Sequence, residues 1–253
     1  MIKAFVFDAY GTLYDVQSVS DIIEKSFPGH GDYITQVWRM KQLEYSWLRS
    51  MMGKYEDFWA ITREALDYTL RTLELRAEAS LFDEISDSYN KLSPYPDAES
   101  ALKKLSDYRL AILSNGSPDM LSALVTHSTL SHLLEEIISV DSKRAYKPDR
   151  RAYELVEEEL GIKPDEVAFV TSNGFDACGA RNFGFKVIRI ERVQPSALCE
   201  EIRSSDVIAP YTMFKATRMQ SETCGDAPDF KIGSLGELPA LAADLVKHHT
   251  VSS

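Results

Sequence analysis

The chain contains 253 residues, 44% of them hydrophobic and 26% charged, a composition that indicates a folded globular protein and excludes a disordered one. Its net charge of −11 argues against nucleic acid or an anionic membrane surface as a partner, because both attract a basic surface. No stretch approaches the roughly 20 apolar residues of a membrane span and no targeting signal is evident, so we expect a cytoplasmic protein.

The first predicted element is a buried strand that ends in a carboxylate. Five apolar residues lie between Ile2 and Phe7, Asp8 follows them, and Gly11 and Thr12 then turn the chain. Open α/β sheets concentrate their chemistry at the carboxyl ends of the strands. Asp8 could instead be an ordinary turn or cap residue. We favour a functional role, because a carboxylate buried without a partner is costly.

Residues 15–92 contain no convincing strand and show repeated helical periodicity. Apolar residues recur at helical spacing in two stretches, 34–51 and 55–75, and all three tryptophans of the chain lie in this segment. The two prolines of Ser93–Asp97 favour extended chain and mark the return to the sheet. We therefore predict a core domain of residues 1–14 and 93–253, interrupted by an all-helical subdomain of residues 15–92.

After residue 93 helices and strands alternate, which predicts a doubly wound, Rossmann-like parallel sheet with helices on both faces. Ser117 and Pro118 are typical of a helix start, and Gly161 of a helix end. Residues 195–228 give weak signals and are expected to form an excursion with one helix, and residues 251–253 are expected to fray. The predicted helices cover residues 98–105, 150–160 and 177–183 besides the one opened by Pro118, and the predicted strands cover residues 110–113, 137–140, 167–170 and 187–190.

Three cysteines, Cys178, Cys199 and Cys224, have neither the spacing of metal ligands nor the even number of a disulfide framework. We expect reduced thiols, buried or half-buried, as in a cytosolic protein.

Polar residues follow several predicted strands, and the carboxyl ends of parallel strands share one edge of the sheet. We therefore expect Asp8, the loops at 114–115 and 171–173, Lys147 and Asp176 to meet there. Each has an ordinary alternative. Ser and Asn commonly satisfy loop backbone, Lys147 could lie on a solvated face, and Asp176 could be the N-cap of the next helix. Lys147 precedes a proline, which favours an extended segment and a fixed direction.

Together these motifs resemble the haloacid dehalogenase superfamily. They are Asp8-x-Tyr10-Gly11-Thr12, Ser114-Asn115-Gly116, Lys147-Pro148 and Ser172-Asn173-Gly174-Phe175-Asp176. Tyr10, Arg39 and the Ser-Asn-Gly-Phe-Asp run make the chain similar to the L-2-haloacid dehalogenase (type II) branch. The resemblance covers nearly the whole chain and implies that residues 15–92 form a helical cap subdomain inserted after the first strand.

The resemblance implies hydrolysis of short-chain (S)-2-haloalkanoic acids to (R)-2-hydroxy acids and halide. Asp8 would attack C2 opposite the halogen, invert that centre and form an ester, which water then hydrolyses. Lys147 would keep Asp8 ionised beside an anionic substrate. Asp176 would activate the water with help from Asn173, while Thr12 would orient Asp8.

The resemblance also implies a set of residues around the substrate. Arg39, Asn115 and the edge of Phe175 would bind the departing halide, and Ser114 would hold the substrate carboxylate. Closure of the cap that carries Arg39 would exclude water during displacement. The pocket would further be shaped by Tyr10, Ala9, Leu43, Phe58 and Tyr153. The family pattern has Ser where this chain has Thr171, whose extra methyl stiffens χ1 and would tune turnover if the hydroxyl orients Lys147 or the water.

Tyr10 bears on the choice between two enzyme classes. Phosphatase relatives hold Mg²⁺ with a second Asp at this position, and a neutral phenol does not replace that ligand. We therefore expect no metal and no cofactor. A Mg²⁺-dependent phosphomonoesterase of the same superfamily is the alternative, and a binding protein that kept the fold without the chemistry is a third. The expected partner is the small 2-haloacid alone, with neither nucleic acid nor membrane, and the family resemblance implies a homodimer.

Overall fold

The computed structural model describes residues 1–222 and 224–250, which contain a six-stranded parallel sheet flanked by helices. Its strands are β1 (Ala4–Phe7), β2 (Arg109–Ser114), β3 (Glu136–Ser139), β4 (Val167–Thr171), β5 (Lys186–Ile190) and β6 (Phe230–Ile232). They lie in the order β3-β2-β1-β4-β5-β6, and every neighbouring pair is parallel. The predicted α/β fold class is confirmed.

β1 lies inside the sheet, between β2 and β4, and all four of its residues are buried. Its uninterrupted apolar run is typical of a strand that is covered on both faces. Phe7 pairs with Ile112 on one side and with Val170 on the other. The chain continues to β2 and β3 on one side of β1, and to β4, β5 and β6 on the other. Asp8 therefore follows β1 at the point where the strand order reverses, the usual place for a ligand in such sheets.

Residues 15–92 form helices, in agreement with their periodicity, and the rest of the chain alternates as predicted. The helices are α1 (Ser20–Ser26), α2 (Gly31–Met51), α3 (Phe58–Thr72), α4 (Ala79–Asp87), α5 (Ala98–Lys103), α6 (Pro118–Thr126), α7 (Arg150–Leu160), α8 (Gly174–Phe183), α9 (Pro195–Ser204), α10 (Pro210–Arg218) and α11 (Leu238–Thr250), besides short 3₁₀-helices. Asp57 caps α3 by accepting a hydrogen bond from the N–H of Ala60, and Gly161 ends α7 in the left-handed conformation.

The segment 195–228 differs from the expectation of one helix, because it carries both α9 and α10. Pro195 and Pro210 each stand in the first turn of their helix. A proline starts a helix readily but disrupts one from inside, so the segment forms two short helices rather than one long one. β6 has only three residues, too few for a periodic signal. The expectation for residues 251–253 lies outside the described residues.

The cysteines also differ from expectation, because Cys199 and Cys224 are exposed and only Cys178 is half-buried. Most of the 195–228 segment, which contains α9, α10 and their connecting loops, lies at the surface. Both exposed thiols belong to this segment. The sulfur atoms of Cys178 and Cys224 lie 3.7 Å apart.

The two connections between the sheet and residues 15–92 run side by side. The N–H of Asp15 donates to the carbonyl of Ser93 at 2.8 Å, and the N–H of Tyr95 donates to the carbonyl of Leu13 at 2.8 Å. The segment thus leaves and re-enters the sheet at one place. The division into a core domain and a cap subdomain at residues 15 and 92 stays a prediction.

Side chains also join the helical segment to the rest of the molecule. The hydroxyl of Tyr55 donates to Asp141 at 2.6 Å, and that of Tyr146 donates to the carbonyl of Glu56 at 2.6 Å. Within residues 1–222 and 224–250, no helix has the length and apolarity needed to cross a membrane.

Candidate active site

Asp8 is held by groups from two neighbouring strand ends and is only 6% exposed. Its Oδ2 accepts hydrogen bonds from the Thr12 hydroxyl at 2.9 Å and from the Asn173 amide at 2.7 Å. Gly11 lies between Asp8 and Thr12 in the chain and has φ of +87°, a conformation that strongly favours glycine. The turn after β1 therefore folds back, so that the hydroxyl of Thr12 faces the carboxylate of Asp8, the candidate nucleophile.

Ser172 locks that turn and was missed as a site residue from the sequence. Its backbone N–H donates to the Thr12 hydroxyl at 2.9 Å, and its own hydroxyl donates to the carbonyl of Gly11 at 2.7 Å. Its place in the same loop as Asn173 was the available signal. Asn173 adds a second bond to this turn, from its amide to the carbonyl of Tyr10 at 3.1 Å.

Lys147 joins the two carboxylates. Its ammonium donates to Asp8 Oδ1 at 3.1 Å and to Asp176 Oδ2 at 2.9 Å, and it is 1% exposed. The segment around it is a turn with a cis Lys147–Pro148 peptide bond rather than the expected extended chain. The Asn115 side-chain carbonyl accepts the backbone N–H of Lys147 at 3.0 Å, so the residue after β2 fixes the direction of the lysine.

Asp176 is fully buried inside α8, and Asn173, not Asp176, is the N-cap of that helix. The alternative that Asp176 serves as the N-cap is therefore wrong. Its Oδ1 accepts the hydroxyl of Tyr153 at 2.8 Å. Tyr153 is itself buried among the rings of Phe169 and Phe185, which places it behind Asp176. This partner set differs from the substrate-facing position that the family resemblance implies for Tyr153.

The electrostatics of this trio separate the roles of its members. Burial disfavours the Lys147 ammonium, but the carboxylates of Asp176 and Asp8 outweigh that penalty and raise its pKa, so the lysine stays charged. Burial raises the pKa of Asp176 to about 6, with Lys147 opposing the rise. Two carboxylates share one ammonium, so repulsion from the charge of Asp8 adds to the rise in the pKa of Asp176. A carboxylate with a pKa near 6 suits a general base at neutral pH.

Two further predicted residues hold backbone rather than reacting groups. The Thr171 hydroxyl accepts the N–H of Asn173 at 3.1 Å, so it shapes the loop that carries Asn173. The Ser114 hydroxyl accepts the N–H of Gly116 at 3.2 Å and is fully buried. Its own proton is left for another acceptor, and binding of the substrate carboxylate stays a prediction. The carbonyl of Ala9 accepts the N–H groups of residues 12–14, which closes the turn after Asp8.

Arg39 reaches the site from α2. Its guanidinium donates to Gln42 at 2.6 Å and to the carbonyl of Tyr10 at 3.5 Å, and it lies 5.8 Å from the Tyr10 ring centroid. Gln42, not foreseen from the sequence, is tied in turn to Thr62 of α3 at 2.7 Å. Its spacing of three residues from Arg39 on one helix was the signal. Leu43 is buried on the same helix.

Aromatic rings surround Tyr10. The ring of Phe58 lies 5.8 Å from it and that of Tyr89 lies 6.2 Å from it. The Tyr10 hydroxyl is buried and, among the described residues, has no hydrogen-bond partner. Burial raises its pKa, so the phenol stays neutral.

Of the three predicted halide ligands, Arg39 lines the cavity beside Tyr10. Among the described residues, Arg39 shares a cavity of about 30 Å³ with Tyr10 and Asn173 but not with Asn115 or Phe175. The Phe175 ring instead meets Trp47 edge-on at 5.1 Å, beside a surface groove. The cavity has room for about one water-sized group, so a whole haloacid requires the surrounding helices to move.

The donor set is a poor fit for a divalent cation. Mg²⁺ needs several oxygen ligands, usually carboxylates and waters. The ammonium of Lys147 already supplies the positive charge between Asp8 and Asp176, and Tyr10 presents a neutral phenol where a carboxylate would be required. Among the described side chains, those of residues 1–222 and 224–245, no three from His, Cys, Asp or Glu cluster as metal ligands would.

Comparisons with known proteins agree with this arrangement. Residues 2–184 match the family of haloacid dehalogenase-like hydrolases. The chain is 56% identical over 249 residues to the (S)-2-haloacid dehalogenase of Xanthobacter autotrophicus, covering 98% of each chain. Two solved structures of L-2-haloacid dehalogenase from that organism, one with chloropropionic acid covalently bound, superpose with a TM-score of 0.93 at 57% identity, over 96% of this chain and 99% of theirs. These findings confirm the resemblance noted at the motifs, and the chain belongs to the haloacid dehalogenase-like hydrolase family.

Proposed function

We propose that the protein hydrolyses short-chain (S)-2-haloalkanoic acids to (R)-2-hydroxy acids and halide through an ester of Asp8. The observation that carries this proposal is the ammonium of Lys147 held between two buried carboxylates. One carboxylate stands at the strand end as a nucleophile, and the other has the environment of a base. Relatives named (S)-2-haloacid dehalogenase, and a solved relative with chloropropionic acid covalently bound, support the same reaction.

In the first step an oxygen of Asp8 attacks C2 of the substrate and forms a C–O bond. The C–X bond breaks, the halide leaves with the bonding electrons, and C2 is inverted. Thr12 and Asn173 hold Asp8 Oδ2, which fixes the plane of the carboxylate and the line of attack. The departing halide gains negative charge as the C–X bond breaks. The guanidinium of Arg39 reaches the carbonyl of Tyr10, so we assign stabilisation of the halide to Arg39.

In the second step water attacks the carbonyl carbon of the Asp8 ester, and Asp176 accepts a proton from that water. The ester C–O bond on the acyl side breaks, and the departing alkoxide takes the proton from Asp176 to give the 2-hydroxy acid. Asp8, which now carries one oxygen from water, loses its remaining proton to solvent and is again a carboxylate. Tyr153 donates to Asp176 Oδ1, so we assign it the orientation of the base. Tyr10, Leu43 and Phe58 supply apolar walls.

A Mg²⁺-dependent phosphomonoesterase is the alternative, and one experiment separates the two. We expect the enzyme to release halide from (S)-2-chloropropionate in excess chelator, and to leave the (R)-enantiomer unreacted. Phosphate release that requires Mg²⁺, with no halide release in chelator, would overturn the proposal. Single turnover in ¹⁸O-labelled water should place the label on Asp8, and label in the product alone would exclude the ester.

We also propose a cytoplasmic homodimer. Leu48, Met51 and Met52 at the end of α2 are exposed apolar residues next to a groove that Trp47 and Phe175 line. Such a contiguous apolar surface favours an interface. Light scattering after size-exclusion chromatography should give twice the chain mass, and a shift to the monomer mass in Met51→Asp would locate the interface. Monomeric wild-type protein would refute this part of the proposal without affecting the activity.

A further inference from the structure

The helix α10 forms one wall of the cavity at the proposed active site. The cavity of about 30 Å³ is lined by Tyr10, Arg39 and Asn173 together with Phe214 and Arg218 of α10. α10 belongs to the 195–228 excursion, which begins 19 residues after Asp176, the last residue of the motif that contains Asn173. The excursion is therefore part of the site and not only an addition to the sheet.

Two arginines face this cavity, and among residues 1–222 and 224–250 neither has a carboxylate within the 4.0 Å of an ion pair. Within the described residues, Arg39 donates its hydrogen bonds to neutral oxygens, those of Gln42 and of the Tyr10 backbone. The Nε of Arg218 is buried and, in the described part of the chain, has no hydrogen-bond partner. Arg39 is buried and Arg218 is half-buried. A guanidinium group withdrawn from water without an anion is costly, so the cavity is a place where an anion would be stabilised.

Other contacts hold Arg218 at this place. Its guanidinium lies over the Trp47 ring, 5.3 Å from the centroid. The chain just after α10 is fastened by Arg189 of β5, whose Nη2 donates to the carbonyls of Met219 and Gln220 at 3.1 Å each. Arg189 is 1% exposed, so this anchor is rigid. Arg218 is thus positioned before any ligand arrives.

The charges around Arg218 also favour an anion in this cavity. Burial lowers the pKa of Arg218 and the charge of Arg39 lowers it further, while Glu222 and Glu44 act in the opposite direction. An arginine keeps its charge even so. The protein as a whole carries −11, which repels an anionic substrate. A local pair of cations in a partly desolvated cleft reverses that field where the substrate must enter.

We infer that Arg218, together with Arg39, forms a binding site for one small monovalent anion at the mouth of the active site. The inference rests on the proposed dehalogenase function. Its ligands are the two anions of that reaction, the carboxylate group of the entering haloacid and the departing halide, and the cavity matches a single ion in size. Arg218 is a binding residue here, since it holds the anion directly and takes no part in bond making.

The test compares Arg218→Gln with Arg203→Gln, a matched loss of charge at an exposed position of α9. With (S)-2-chloropropionate we expect Arg218→Gln to lower kcat/KM about tenfold, mainly through KM, and to raise the inhibition constant of bromide about tenfold, whereas Arg203→Gln stays within about twofold of wild type. The substrate arm reports the carboxylate and the bromide arm reports the halide. Arg218→Lys, which keeps the charge, should retain both properties within about threefold.

Equal kcat/KM and bromide inhibition in Arg218→Gln and Arg203→Gln would overturn the inference. So would a fall in kcat alone with unchanged bromide inhibition, since that is the signature of lost packing. If Arg218→Gln fails to fold, Arg218→Lys provides the test. A change of more than about threefold in its kcat/KM or in its bromide inhibition constant would also contradict a site based on charge. Wild-type protein that releases no halide would instead overturn the proposed function, so the two failures are distinguishable.

Discussion

Replacing Lys147 by Met tests how far the fold and the site depend on one shared ammonium. The side chain lies 3.1 Å from Asp8 and 2.9 Å from Asp176, and all three groups are buried. At an effective dielectric constant of about 20, each contact is worth about 5 kcal/mol of Coulomb attraction. Much of this is offset by the desolvation of the ions, and removing one partner of a buried pair typically costs about 3–5 kcal/mol. We expect a loss of unfolding free energy in that range near pH 8.

The loss of unfolding free energy in Lys147→Met should grow as pH rises, because the folded and unfolded states bind different numbers of protons. In the wild type the raised pKa of Lys147 keeps its stabilisation present below the ordinary lysine range near 10.4, and removes it only as pH rises through the higher folded-state value. In the variant two carboxyl groups face each other without a cation, so the folded state of the pair binds protons more tightly than the unfolded chain. Its stability then falls as pH rises from about 4 to 7.

Urea unfolding of Lys147→Met at pH 5.5 and pH 8 measures both effects. The control is Lys143→Met, whose ion pair with Glu158 at 2.6 Å is solvent-exposed and should be worth less than about 1 kcal/mol at either pH. A deficit in Lys147→Met that is the same at both pH values, or no larger than that of the control, would refute the reasoning. Halide release should be lost in this variant at every pH.

Three further predictions concern the chemistry. Asp176→Asn should form the ester but hydrolyse it poorly, so mass spectrometry should find Asp8 carrying the acid moiety of the substrate; an unmodified protein after incubation would count against Asp176 as the base. In the wild type, kcat should fall as pH drops below about 6, because the raised pKa of Asp176 means that the base becomes protonated there; a flat profile down to pH 5 would contradict this assignment. Tyr10→Phe removes a buried hydroxyl without a partner among the described residues, so thermal unfolding should be unchanged or shifted upward, and a clear loss of stability would reveal a hydrogen bond absent from the structure.

The centre of the site was predictable because strand ends are readable in the sequence. The apolar run before Asp8 and the buried run before Thr171 both identify parallel strands, and parallel strands bring their ends together. That logic alone brought Asp8, Lys147 and Asp176 to one edge.

Residues whose role depends on packing between distant segments were not predictable in this way. Gln42 lies one helical turn from Arg39, but its bond to Thr62 of α3 depends on how the two helices pack. Tyr153 orients Asp176 only because its hydroxyl reaches that carboxylate from a cluster of rings. Arg218 lies in a segment with weak periodicity, and its position follows from Trp47 and Arg189. None of these partners is close in sequence, so no local pattern encodes them.

The paired connections at Asp15–Ser93 and Leu13–Tyr95 have a consequence for how this molecule can vary. Because the two ends of the helical segment are hydrogen-bonded to each other, the sheet closes beneath it whatever its length. Exchange, shortening or lengthening of residues 15–92 would leave the register of β1 and the place of Asp8 unchanged, since the cost of closing a loop grows only slowly with its length. The bond-breaking chemistry and the shape of the enclosure can therefore change independently, and a grafted helical segment should redirect which acids are accepted while the same aspartate continues to react.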